Sequence, residues 1–155
     1  SGTVRENIEL DASPQALERA ARLSRADRVI ARLPQGWDTP VHERGAALSV
    51  GERQLLSFAR ALAADPPILV LDEATSSVDA ETEGLVQEAL ESMLEGRTAI
   101  VVAHRLATVR KADRILVMHH GRLREAGSHD QLVAQGGLYD KLVKLQWGAA
   151  PRTAP

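Results

Sequence analysis

The sequence predicts an α/β fold with a parallel sheet, and three consecutive segments carry this prediction. Residues 68–71 form a short, wholly apolar run that stops abruptly at Asp72, as expected for a buried parallel strand. Residues 80–95 place apolar side chains at helical spacing, and Gly96 closes that helix. A second apolar run over residues 98–103 completes a strand–helix–strand unit with a right-handed crossover.

Before this unit the sequence predicts helices joined by loops. Ser13 is placed as a cap and Pro14 as the first residue of a helical region over residues 13–33. A second helix begins after Ser49 and ends near the Asp-Pro-Pro sequence at residues 65–67.

After the second strand the elements become shorter. Residues 105–113 form a polar segment, residues 114–118 predict a third strand, and His119-His120-Gly121 predicts a turn into a returning strand. The chain becomes helical again from about Asp130, and the small, Pro-rich residues 148–155 predict a disordered tail.

Composition limits the classes of function. The 155 residues include 19 basic and 21 acidic side chains, for a formal charge of -2, so no basic surface for nucleic acid is indicated. Two Trp, one Tyr and one Phe leave few rings on which bases could stack. The lack of cysteine excludes disulfides and thiolate metal sites. No apolar run reaches the roughly 18 residues of a membrane-spanning helix.

Two adjacent carboxylates, Asp72 and Glu73, follow the first strand. In a parallel sheet the carboxyl ends of strands form the edge where ligands bind, so these acids could serve Mg²⁺ and an attacking water. A solvated strand end without a ligand explains the same pattern equally well. His104 follows the second strand at the same edge, where it could bind a phosphate oxygen or simply be structural. His119, His120 and His129 are interpreted as turn or surface residues.

The segment from Leu48 to Gln54 contains Ser49 and Gly51 where a helix N-terminus would present a hydroxyl and backbone amides to an anion. Ser49 and Glu52 also form a capping-box pattern, which needs no ligand. Capping does not explain Gly51, because glycine in a first helical turn costs about 1 kcal/mol relative to alanine. We therefore favour a functional reason for Gly51.

Together these stretches resemble the ATP-binding-cassette (ABC) family, through several motifs in the family's order. Residues 48–54 are similar to its signature, with Val50 in place of the usual glycine and Glu52 in place of glutamine. Residues 68–73 resemble the Walker B strand, and His104 resembles the switch histidine. The D-loop is matched by Ser76, Ser77, Val78 and Asp79, and an exporter's coupling loop by Val41, His42, Glu43, Arg44 and Gly45, with His42 replacing the commoner glycine.

The resemblance implies an incomplete P-loop NTPase (RecA-like) fold. Residues 1–65 would form the ABC helical subdomain and residues 66–147 the C-terminal half of the ATPase core. It also implies ATP and Mg²⁺ as ligands in the complete domain, with Asp72 assisting the metal, Glu73 polarising water and His104 holding the γ-phosphate. Leu48, Ser49, Val50, Gly51 and Glu52 would contact ATP on an opposite subunit, and Asp79 would act across the same dimer.

The implied partners are a second nucleotide-binding domain, arranged head-to-tail, and transmembrane domains of an exporter, at the cytoplasmic face of the cell membrane. The sequence contains no Gly-x-x-x-x-Gly-Lys-Ser/Thr phosphate loop. Because the sequence also begins at Ser1 in a predicted loop, we expect it to be part of a longer protein. Without the phosphate loop, we expect the isolated chain to hydrolyse ATP negligibly. Two alternatives stay open: a soluble ABC ATPase acting on nucleic acid or ribosomes, and a non-catalytic dimerising or regulatory module.

Overall fold

The computed structural model describes residues 2–9, 11–41, 48–72, 80–102 and 106–147. Eight α-helices, one 3-10 helix and four strands occur within these ranges. In chain order they are α1 (Val4–Ile8), α2 (Pro14–Leu23), α3 (Ala26–Ile30), the 3-10 helix (Gly36–Asp38), α4 (Val50–Ala63), β1 (Ile68–Asp72), α5 (Ala80–Leu94), β2 (Thr98–Val102), α6 (Leu106–Arg110), β3 (Ile115–His119), β4 (Arg122–Gly127), α7 (His129–Gln135) and α8 (Leu138–Trp147).

The chain packs as two compact units, Ser1–Val101 and Val102–Pro155. In the first unit α1 to α5 and β1 surround one apolar core. The largest side chains fully buried in it are Val4, Ile8, Leu17, Val29, Leu55 and Met93. These units divide after Val101, whereas the sequence predicts a boundary between a helical subdomain and an ATPase-core part after residue 65. That predicted boundary concerns function rather than packing, and it stays a prediction.

The predicted helical region over residues 13–33 contains two helices, α2 and α3. Ser13 caps α2 by accepting a hydrogen bond from the Ala16 amide at 3.2 Å, and Pro14 occupies the first turn, as predicted. The helix stops at Ser24, whose buried hydroxyl donates to the Ala21 carbonyl at 3.1 Å. Arg25 then adopts a left-handed conformation with φ 59°. Helical spacing continues through this break, which is why the sequence pattern did not reveal it.

Strands β1 and β2 are hydrogen-bonded neighbours joined through α5, as the strand–helix–strand pattern predicted. They begin side by side, because the amide of Thr98 donates to the Pro67 carbonyl at 3.2 Å. The prediction that β1 is buried on both faces was wrong. Leu69 is buried against the core, whereas Val70 is 70 % exposed, because no described element of the first unit covers the other face of this pair.

In the second unit β3 and β4 form an antiparallel hairpin that packs with α7 and α8 around Leu132 and Tyr139. His119 pairs with Arg122, so only His120 and Gly121 form the turn. Both have positive φ, 49° and 70°, as a two-residue type I′ hairpin turn requires. The predicted returning strand is confirmed.

Two further expectations were incomplete. The polar segment over residues 105–113 contains the short helix α6, and the predicted helical tail consists of two helices, α7 and α8. The predicted disordered tail, residues 148–155, lies outside the described residues.

Candidate functional site

The N-terminus of α4 is the described part of the candidate site, and a reciprocal pair of hydrogen bonds fixes it. The Ser49 hydroxyl oxygen accepts from the Glu52 amide at 3.2 Å, and Glu52 Oε2 accepts from the Ser49 amide at 2.9 Å. This is the capping box that the sequence suggested. Ser49 has an extended backbone, with φ -65° and ψ 166°, so its side chain lies over the first helical turn.

The cap leaves hydrogen-bonding capacity for a ligand. A serine hydroxyl has one donor hydrogen and two acceptor lone pairs, and capping uses one lone pair. The Ser49 hydrogen is therefore available to donate to an anion. Capping and anion binding are compatible roles for Ser49, although the sequence pattern presented them as alternatives.

Backbone amides of the first turn add further donors. The capping box uses the amides of Ser49 and Glu52, and no described residue accepts from those of Val50 and Gly51. Such amides carry the positive end of the helix dipole, which attracts anions. Gly51 is buried, whereas the Val50 side chain is 42 % exposed at the tip of the helix.

The charge of Glu52 is balanced within the site. Its Oε1 lies 3.5 Å from the guanidinium of Arg32, which follows α3, while its Oε2 holds the cap. A second guanidinium, that of Arg53, donates to the carbonyl of Leu48 immediately before the cap. Two arginines therefore lie at the helix end that carries the Glu52 carboxylate.

These arginines are the residues that the sequence analysis missed. Arg53 lies next to the signature-like segment, so its proximity to the cap was visible in the sequence. Arg32 is separated from Glu52 by the whole loop before α4. Only the packing of α3 against α4 brings these two residues together.

The other predicted site residues are only partly described. Asp72 is the last residue of β1; its side chain is exposed and interacts with a neighbouring group. Val41 packs against the first core, and its amide donates to the Gly2 carbonyl at 2.7 Å. Outside the described residues lie Glu73, Ser76, Ser77, Val78, Asp79, His104, His42, Glu43, Arg44 and Gly45. The structure thus describes the segment from Leu48 to Glu52 as one site. That this segment acts together with Glu73 and His104 stays a prediction.

The described ranges offer neither a metal-binding cluster nor a membrane-spanning helix. No group of three or more His, Asp or Glu side chains in that part of the chain is arranged to bind a metal ion. None of its helices combines the length and apolar character needed to cross a membrane. His129, interpreted as a turn or surface residue, begins α7, and its Nδ1 lies 2.8 Å from the Tyr139 hydroxyl.

Comparisons with known proteins point to one family. The family model described as "ABC transporter" matches residues 1–76. The ABC transporter ATP-binding protein YknV of Bacillus subtilis is 54 % identical over 153 residues, which are 97 % of this chain and 25 % of that protein. The ATP-dependent lipid A-core flippase of Chromobacterium violaceum is 53 % identical over 137 residues, covering 88 % of this chain and 24 % of the flippase.

A solved structure agrees with these relatives. A bacterial Atm1-family ABC exporter with ATP bound matches with a TM-score of 0.82 and 42 % identity, over 99 % of this chain and 27 % of that one. The chain therefore spans about a quarter of the length of each of these three proteins.

Proposed function

We propose that this chain, which belongs to the ABC transporter family as part of its nucleotide-binding domain, supplies one face of an ATP-hydrolysing site that powers an exporter. The observation that carries this proposal is the end of α4. There a capping box fixes Ser49 while leaving its hydroxyl hydrogen available, beside two first-turn amides.

The α4 end would act in trans. Ser49 and the amides of Val50 and Gly51 would donate hydrogen bonds to the γ-phosphate of ATP held by an opposite nucleotide-binding domain. Two domains would then close head-to-tail over two nucleotides, and hydrolysis would reopen them. In this arrangement the positive end of the α4 dipole faces the phosphate charge.

The strand edge would supply the chemistry. Asp72 fits a role in holding Mg²⁺, because it is an exposed carboxylate at a strand end and Mg²⁺ keeps several waters beside one or two carboxylates. The bound metal would neutralise phosphate charge. Glu73 would polarise the attacking water, His104 would hold Glu73 and the γ-phosphate in register, and Asp79 would act across the dimer.

The coupling loop, Val41 to Gly45, would transmit closure to the transmembrane domains of the longer protein, at the cytoplasmic face of the membrane. Two of the similar proteins are named as an ATP-dependent lipid A-core flippase and an Atm1-family ABC exporter. These names support the exporter class. The sequence lacks the lysine phosphate loop, so we expect the chain alone to bind ATP weakly and to hydrolyse it negligibly.

Two substitutions at Ser49 in the longer protein test this proposal. Threonine retains both the cap and the hydroxyl hydrogen, whereas aspartate retains the cap but has no hydrogen to donate and repels phosphate. We expect Ser49→Thr to preserve most Mg-ATP hydrolysis and Ser49→Asp to lower it on the order of 10²-fold, the usual cost of removing a donor to a transition state. Equal unfolding midpoints would show that both variants fold. A normally folded Ser49→Asp protein with undiminished turnover would refute the proposal.

A further inference from the structure

The ion pair between Arg32 and Glu52 joins two parts of the chain at the candidate site. Arg32 lies just past the end of α3, and its amide donates to the Val29 carbonyl at 3.0 Å. Val29 and Ile30 are buried in the first core, so packing fixes the backbone from which the Arg32 side chain extends. Arg32 is therefore held on the α3 side of the α4 end.

The two oxygens of Glu52 have different partners. Oε2 accepts from the Ser49 amide, and Oε1 faces Arg32 at 3.5 Å. The Glu52 side chain is only 22 % exposed, whereas that of Arg32 is 52 % exposed. The carboxylate that positions Ser49 is thus itself positioned and neutralised by a cation from another element.

We infer that Arg32 is a positioning residue for nucleotide closure, acting through Glu52 on the α4 end; this inference rests on the proposed function. Without Arg32, the negative charge of Glu52 would face the incoming γ-phosphate from within the same helical turn. Repulsion between these charges would weaken ATP-dependent closure. With Arg32 in place, Glu52 caps the helix as an almost neutral pair.

This role differs from a contribution to folding. Ion pairs as exposed as this one stabilise a fold little, so removing Arg32 leaves the unfolding midpoint close to that of the parent. The effect appears instead in the ATP concentration needed for half-maximal turnover. A loss of closure raises KM, whereas a loss of hydrolytic chemistry lowers kcat.

The test is a double-mutant cycle in the longer protein, measured as KM and kcat for Mg-ATP. We expect Arg32→Gln to raise KM roughly three- to tenfold with little change in kcat. Glu52→Gln retains a capping acceptor without the charge. In the Glu52→Gln background, Arg32→Gln changes KM by less than about twofold, because no charge then needs neutralising.

Three controls make the outcome specific. Arg32→Lys retains the charge and restores most of the parent KM. Arg28→Gln removes an exposed arginine of α3 that forms no ion pair with any described residue, and leaves KM unchanged. Ser49→Asp in the same preparation must lower turnover on the order of 10²-fold; if turnover is undiminished, the proposed function fails and the inference falls with it. If Ser49→Asp shows the expected loss of turnover but Arg32→Gln leaves KM unaltered, or raises it equally in both backgrounds, only the inference on Arg32 is overturned.

Discussion

Glu125 of β4 binds the start of α8 by accepting a hydrogen bond from the amide of Tyr139 at 3.0 Å. Its other carboxylate oxygen accepts from the Leu138 amide at 2.5 Å. A carboxylate from a strand thus satisfies two amides that a helix start leaves without intrahelical partners. The contact ties the hairpin to the C-terminal helix within the second unit.

Gly137 makes this contact possible. A Cβ at that position would lie 2.8 Å from the carboxyl carbon of Glu125, closer than carbon atoms approach. We expect Gly137→Ala to displace the carboxylate and to destabilise the second unit by about 1–3 kcal/mol. Hydrogen exchange at the amides of Leu138 and Tyr139 should accelerate accordingly. The amide of Gln131, capped by Ser128 at the start of α7, serves as the internal reference. If the exchange rates of Leu138 and Tyr139 relative to that of Gln131 did not change, the expectation would be contradicted.

Gly84 offers the opposite case. It lies exposed in the middle of α5, and a Cβ there would meet no atom within 4 Å. Because glycine gains more backbone freedom on unfolding than alanine does, we expect Gly84→Ala to stabilise the first unit by about 0.5–1 kcal/mol. Urea denaturation followed by circular dichroism measures the change. A lower unfolding midpoint would show that α5 needs glycine for a reason other than helix formation.

Asp65 should contribute to the dependence of stability on pH. A hydrogen bond from Arg97 at 2.7 Å and the charge of Arg19 hold the pKa of Asp65 below its ordinary value of 3.8. A lowered pKa in the folded state means that the stabilisation is complete above the unfolded-state pKa and is lost as pH falls through the folded-state pKa.

The matched variant is Asp65→Asn, because asparagine tolerates the left-handed backbone of this residue, φ 43°. We expect the parent chain to exceed the variant in stability near neutral pH and to lose that advantage progressively as pH falls below 3.8 and through the folded-state pKa of Asp65. Urea titrations across this range give the difference directly. A difference that persisted unchanged in acid would exclude the ion pairs as its source.

Val50 is the residue in which this signature departs most visibly from the family pattern. Its side chain is 42 % exposed beside the donors proposed for phosphate. We expect Val50→Gly to lower KM for ATP in the longer protein by giving the phosphate closer access, at a folding cost of about 0.5 kcal/mol, because valine is itself a weaker helix former than alanine. Val50→Ala should give an intermediate KM. An unaltered KM across the three side chains would place the phosphate away from this residue.

Patterns local in sequence predicted much of the fold, and contacts distant in sequence account for the rest. The Ser13 cap, the Ser49–Glu52 capping box and the His120-Gly121 turn each depend on residues within one turn, so the sequence revealed them. The break at Arg25 follows a buried serine in an otherwise helical pattern, and such a change is invisible to periodicity.

Long-range relationships could not be predicted in this way. The exposure of Val70 depends on what packs against the sheet, not on the apolar run itself. The same holds for Arg32, whose pairing with Glu52 depends on how α3 packs on α4. The sequence therefore identified Glu52 as a departure from the family signature but could not reveal that Arg32 pairs with it.

The most direct test of the central claim compares Mg-ATP hydrolysis by this chain alone and by the longer protein, each with and without Glu73→Gln. If the chain supplies one face of an ATP site, the longer protein hydrolyses ATP, Glu73→Gln lowers that turnover on the order of 10²-fold or more, and the isolated chain shows only background hydrolysis. Turnover by the isolated chain that Glu73→Gln abolishes, or turnover by the longer protein that survives Glu73→Gln, would contradict the account.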